Sequence, residues 1–183
     1  MTDATQGRSI PCLGRGSDGS CWTRPRALDP AFPRCFGRAA TGKDEPVAHA
    51  EAVAQVAVDA DTLWRAIGSF QGIGEWHPML DQVEGDGEEP GAIRRAIGKD
   101  GSEQVECLYE VDPVQRFYRY TIVSRALQVR DYIAELQVQP KDDGTSTVSW
   151  TSDFETTGDQ DETVGMIQGF LEAGVQSLAE RYR

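Results

Sequence analysis

No apolar run in this 183-residue chain approaches the roughly 18 residues of a membrane span, and the N-terminus lacks the apolar stretch of a secretory signal. Positive charge is scarce too: 18 Lys and Arg stand against 30 Asp and Glu, a net charge of −12. Neutralising phosphates requires Lys/Arg clusters, so this balance argues against nucleic acid as a partner, and equally against an anionic membrane surface. Cys12, Cys21 and Cys35 form no C-x-x-C pair and have no histidine nearby, whereas zinc sites favour short ligand pairs. Cys107 stands alone. No glycine loop suited to phosphate is present, nor any Ser-His-Asp arrangement around Ser149, Ser152 or Ser177. The expectation is a cytoplasmic protein with reduced thiols, no membrane insertion, no metal and no cofactor.

The residues that are present fall unevenly. Residues 1–46 hold five of the nine prolines, three of the four cysteines, and seven basic against five acidic residues. They show neither helical nor strand periodicity, so little apolar surface is available to offset their ordering entropy. This segment reads as a disordered extension: a tail, a partner-binding arm, or a product of a wrongly chosen start. Residues 47–183 carry 11 basic and 25 acidic residues and form the expected folded domain.

Within that domain the run from Ala50 to Val58 predicts a strand. Asp59 or Asp61 is placed to cap a short helix from Thr62 to Ser69. A second short helix or turn, Phe70 to Glu75, leads to Trp76-His77-Pro78, where proline turns the preceding residue extended. Six segments with turn residues between them follow: Leu80–Gly85, Ala92–Ile97, Glu103–Val111, Phe117–Ser124, Val129–Val138 and Ser146–Glu155. They predict an antiparallel, hairpin-connected sheet. The period then changes. Val164, Ile167, Leu171, Val175 and Leu178 fall on one helical stripe, and Met166, Phe170, Gly174 and Ser177 on the next, which predicts a long C-terminal helix packed on more than one side.

This order resembles the START/Bet v 1-like (SRPBCC) superfamily, and its polyketide cyclase/dehydrase and lipid-transport-type branch in particular. The pieces that carry the resemblance are Trp76-His77-Pro78, Gly91-x-x-Arg94, Glu106-x-Leu108 followed by Asp112, Tyr132, Trp150, and Gln176-Ser177-Leu178-Ala179. The resemblance implies an α+β helix-grip fold, a curved antiparallel sheet of about seven strands around the long helix, enclosing a cavity for a small apolar ligand. It implies a lining of Arg94, Glu106, Tyr120, Tyr132, Trp150, Met166, Phe170 and Gly174. Plant abscisic-acid receptors share several pieces. Where they carry a lysine for the hormone carboxylate, however, this chain has Asp81, and Gly98-Lys99-Asp100-Gly101 replaces their Ser-Gly-Leu-Pro-Ala gate. Both changes argue against that hormone.

Alternation agrees with the resemblance in two strands, turning Tyr132, Ala134, Leu136 and Val138 inward, with Val148, Trp150 and Phe154. It disagrees over Glu103–Val111. There alternation alone buries Val105, Cys107, Tyr109 and Val111, whereas the resemblance turns Glu106 and Leu108 inward and sets Glu106 beside Arg94. The second register leaves Ile93, Ile97, Val105, Cys107, Tyr109 and Val111 on an outer face that needs a cover, such as a homodimer partner or the N-terminal arm. No catalytic residue is assigned. Glu106, Tyr120 and Tyr132 are acid/base candidates, with His77 behind them because, at an element junction, it is expected to be exposed or capping. Three functions remain open: binding or transport of a small hydrophobic molecule, a cyclase/aromatase- or dehydratase-like enzyme, and a regulatory interaction module.

Overall fold

The computed structural model describes residues 12–15, 21–23, 47–124 and 126–183. Strands β1 (Cys12–Arg15) and β2 (Cys21–Thr23) pair antiparallel within one compact unit, Met1–Pro33. The expectation of disorder covers residues 1–46, of which these seven are strand and the rest lie outside the described residues.

The second unit holds the predicted sheet. Its strands are β3 (Ala48–Val56), β4 (Leu80–Asp86), β5 (Ile93–Gly98), β6 (Glu103–Asp112), β7 (Phe117–Ile122), β8 (Val129–Pro140) and β9 (Ser146–Thr156). They pair in the order β3-β9-β8-β7-β6-β5-β4, every neighbour antiparallel. Period-two burial explains why β8 and β9 form: Tyr132, Ala134, Leu136 and Val138 alternate with half-buried residues, as do Val148, Trp150, Ser152 and Phe154. At the tight β5–β6 connection Gly101 takes φ 81°, a backbone conformation that a side chain would strain.

Helix α1 (Ala60–Ile67) starts where Asp59 accepts a hydrogen bond from the Thr62 backbone N–H at 2.9 Å, which selects Asp59 over Asp61 as its cap. A 3-10 turn, Gln71–Glu75, follows. Its entry is held by Glu88, which accepts from the Ser69 hydroxyl and the backbone N–H groups of Phe70 and Gln71. Helix α2 (Gln160–Arg181) is capped by Asp159 and closes the sheet by packing on β3 and β9. Gln168 on α2 exchanges two hydrogen bonds with the backbone of Glu51, so a side-chain amide occupies part of the β3 edge.

Three expectations are corrected here. Helix α2 is covered on its second stripe only in the C-terminal half: Ile167, Leu171, Val175 and Leu178 are buried, and Phe170, Gly174 and Ser177 meet His77 and Trp76, while Gly165, Met166 and Gly169 face solvent. Met166 is 54% exposed and therefore does not line the interior. Apolar character on the second stripe identified the helix but not the sheet's reach around it. Cys107 is disulfide-bonded, against the expectation of reduced thiols; linear spacing carries no signal for such pairing.

The outer face is also more polar than the apolar list suggested. Arg95 bridges Glu84 and Glu103, Arg119 bridges Glu110 and Glu135, and Arg130 pairs with Glu155. Ile93, Ile97, Val105 and Tyr109 are half-buried among these ion pairs, and Cys107 is fully buried. Among the described residues, no helix is long and apolar enough to cross a membrane.

Candidate functional site

The concave side of the sheet carries a buried polar centre with aromatic walls. Arg94 on β5 and Glu106 on β6 are directly opposite in the antiparallel register, so both side chains project from the same face. Arg94 is fully buried and Glu106 is 6% exposed. Arg94 Nε donates to Glu106 Oε2 at 2.6 Å, and Nη2 lies at the same distance from that oxygen. Nη1 donates to the carbonyl of Phe70. The guanidinium lies 4.1 Å from the Phe70 ring centroid and 5.1 Å from that of Tyr120, an aromatic sandwich that suits a planar cation.

The register that the resemblance implied for β6 is therefore the observed one. A bulge between Leu108 and Glu110 breaks the alternation. It moves Val111 onto the inner face, opposite Tyr118, while Val105 and Cys107, before the bulge, stay on the outer one.

From this centre the aromatic wall runs through Tyr120 and Tyr132 to Phe154, with neighbouring ring centroids 6.2 and 5.8 Å apart. Trp150 Nε1–H donates to the Tyr120 hydroxyl at 3.2 Å. The Tyr118 hydroxyl faces Arg94, and the Ser152 hydroxyl faces Tyr132, each without good hydrogen-bond geometry. Trp76 Nε1 is buried with no partner at all. Burial pushes the Tyr118, Tyr120 and Tyr132 phenols above their ordinary range, so they are neutral donors at any physiological pH. Burial also pushes the Glu106 carboxyl up, and the Arg94 charge opposes it. Arg94 stays protonated: burial works against its charge, and Glu106 together with Tyr118 and Tyr120 outweighs it.

A family profile described as polyketide cyclase/dehydrase and lipid transport matches residues 47–183. The chain belongs to that family. No curated protein matches it. Among solved structures it is similar to a protein from Thermobifida fusca, at 31% identity over 73% of this chain and 92% of that one, with a TM-score of 0.63. Two further likenesses show the fold alone. The protein XoxI from Bacillus cereus is 22% identical over 74% of this chain and 95% of that one, TM-score 0.69. The Zhui aromatase/cyclase from Streptomyces sp. R1128 is 21% identical over 74% and 93%, TM-score 0.61.

Of the lining residues that the family resemblance implied, Arg94, Glu106, Tyr120, Tyr132 and Trp150 come together inside. Phe170 is half-buried at the margin, with its ring edge-on to Trp150. Gly174 borders no open space. A Cβ there would lie 2.7 Å from His77 Cδ2 and 2.8 Å from Trp150 Cζ3, so glycine lets two rings seat against the helix.

His77 is the residue that sequence reasoning misplaced. It is 2% exposed, stacks on Phe170 with centroids 3.9 Å apart, and has both ring nitrogens engaged. Nε2–H donates to the Phe170 carbonyl at 3.0 Å, and Nδ1 accepts the Met79 backbone N–H at 3.3 Å. That pattern requires the neutral ring. Burial, helped by the Arg94 charge and opposed by the Phe170 carbonyl, lowers its pKa from 6.5 to about 4. The unfolded chain thus takes up a proton at higher pH than the folded one. The contribution of His77 is fully present above about pH 6.5 and is lost as pH falls towards 4, by about 3 kcal/mol in all. Urea melts of wild type and His77→Gln between pH 7 and 4 measure this difference. The wild type is expected to lose stability more steeply, and parallel curves would show that the ring titrates normally.

Proposed function

We propose that the domain binds a small, largely hydrophobic molecule carrying oxygen functions, held between the sheet and α2. The observation that carries this reading is the Arg94–Glu106 pair, a charged centre built into an aromatic interior. Two charges removed from water add little net stability compared with apolar packing. Such a centre makes sense as an anchor that fixes the orientation of a polar group on an apolar ligand. The unpartnered Trp76 Nε1 adds a donor to the same interior. Membership of a family described by polyketide cyclisation and lipid transport is consistent with this chemistry.

A second reading, a cyclase- or dehydratase-like enzyme, draws on Glu106. A carboxyl raised by burial beside neutral phenols is the kind of group that protonates a leaving hydroxyl or a carbonyl in an apolar site. Native mass spectrometry of freshly purified protein, followed by titration with Nile red, tests the binding reading. A co-purifying small molecule, or saturable dye binding weakened by Arg94→Met, is expected. Protein that carries nothing and binds no apolar dye would overturn it. Conversion of the co-purified molecule on incubation, abolished by Glu106→Gln, would favour the enzyme.

A further inference from the structure

The interior groups are almost wholly shielded from solvent: Arg94, Tyr118 and Trp150 at 0%, Tyr120 at 1%, and Tyr132, Trp76 and Glu106 at 5–6%. If a ligand occupies this interior, as proposed above, some boundary has to part. The boundaries differ in how they are held. Across the sheet, continuous backbone ladders join β3 through to β4. Between α2 and the sheet, the helix packs on β3 and β9 and is joined to the β3 edge through Gln168. Just before β4, the buried Trp76 and His77 rings pack against Trp150, and His77 also against Phe170 of α2, while Pro78 and Met79 are exposed.

The turn of this Trp76–Met79 segment is held locally, with the Trp76 and His77 N–H groups donating to the Ile73 carbonyl and the Leu80 N–H to that of His77, and two hydrogen bonds join it to α2. The Ser177 hydroxyl shares its proton between the Trp76 carbonyl at 2.9 Å and the Gly174 carbonyl of its own helix at 2.8 Å, and His77 Nε2–H donates to the Phe170 carbonyl at 3.0 Å. Between these two bonds lies Gly174, whose missing Cβ makes the seat for the His77 ring. The other His77 nitrogen extends the connection: Nδ1 accepts the Met79 N–H, and the Met79 carbonyl accepts the Lys99 N–H at 2.9 Å. The imidazole therefore ties α2 to Met79, and the Met79 carbonyl in turn holds the β5–β6 turn.

We infer that His77 is a positioning residue that bolts the Trp76–Met79 segment and the β5–β6 turn to α2, and that release of this bolt opens the route to the interior. The ring does this through geometry alone, as a single neutral tautomer seated in the glycine notch. The device rests on the binding reading for its purpose, but its mechanical part is measurable without any ligand.

Amide hydrogen exchange on the full chain tests the mechanical part, and stopped-flow Nile red association tests its purpose. His77→Phe keeps a stacking ring and removes both hydrogen bonds. It is expected to raise exchange at Met79 and Lys99 and to speed both association and release of the dye roughly tenfold, with a much smaller change in equilibrium affinity. Ser177→Ala, which removes the second fastening and leaves the histidine intact, is expected to act in the same direction more weakly, and it serves if His77→Phe does not fold. Exchange unchanged at those two amides, or raised equally across all seven strands, would overturn the bolt. Local exchange raised as expected in a protein that binds no dye would keep the bolt and sink the binding reading instead.

Discussion

Glu106→Gln is expected to destabilise the protein by about 3–5 kcal/mol, and Arg94→Met in the same chain to recover much of that loss. The reason lies in where the charges sit. The Arg94 side chain is 0% exposed and that of Glu106 8%, so neither keeps its hydration when the other is removed. Glutamine preserves the shape of the carboxylate and an acceptor oxygen but not the charge, which leaves a guanidinium between Phe70 and Tyr120 without its counter-ion. Methionine in place of arginine removes that uncompensated charge and fills a similar volume. Urea unfolding of the two single variants and the double variant gives the coupling energy directly. Additive effects below about half a kcal/mol would mean that the two groups are solvated and apart.

Much of the fold was legible because local signals agreed. Turn residues separated alternating runs, and aspartates stood where α1 and α2 begin, so all seven strands and both helices fall within a few residues of their predicted places. The site was legible only in part. Arg94 and Glu106 were placed inward by family resemblance, against the apolar alternation of Val105, Cys107 and Tyr109. The bulge after Leu108, which turns Val111 inward, leaves no mark in residue types either.

His77 was missed for a different reason. Its role depends on a carbonyl 93 residues away and on the absence of a side chain at Gly174, and neither is visible from the Trp76-His77-Pro78 neighbourhood. Met166 erred in the opposite direction. A helical stripe reports which residues share a face, not whether the sheet extends far enough to cover it. Ser177 and Gly174 act at a different place: they receive the Trp76 carbonyl and the His77 ring on α2.

Trp150→Ala is expected to cost about 3–5 kcal/mol, because the side chain is fully buried and the rings around it cannot collapse into the space it leaves. Trp76, His77 and Phe170 all have ring centroids within 5.7 Å of Trp150, and each is held independently of it: Trp76 and His77 through their bonds to α2, Phe170 as part of the helix. The substitution also takes the indole N–H from the Tyr120 hydroxyl. A rigid, largely apolar void with one exposed hydroxyl is a site for a small aromatic molecule. Indole matches both the lost volume and the lost donor, and its binding to the folded state alone should restore about 2.7 kcal/mol at a concentration a hundredfold above its Kd. Urea melts of Trp150→Ala with and without indole read both effects. A variant as stable as wild type would place Trp150 outside the core. A large loss with no indole rescue would show that His77 and Phe170 had closed the void, and with it that the segment carrying His77 is less firmly seated on α2 than its hydrogen bonds imply.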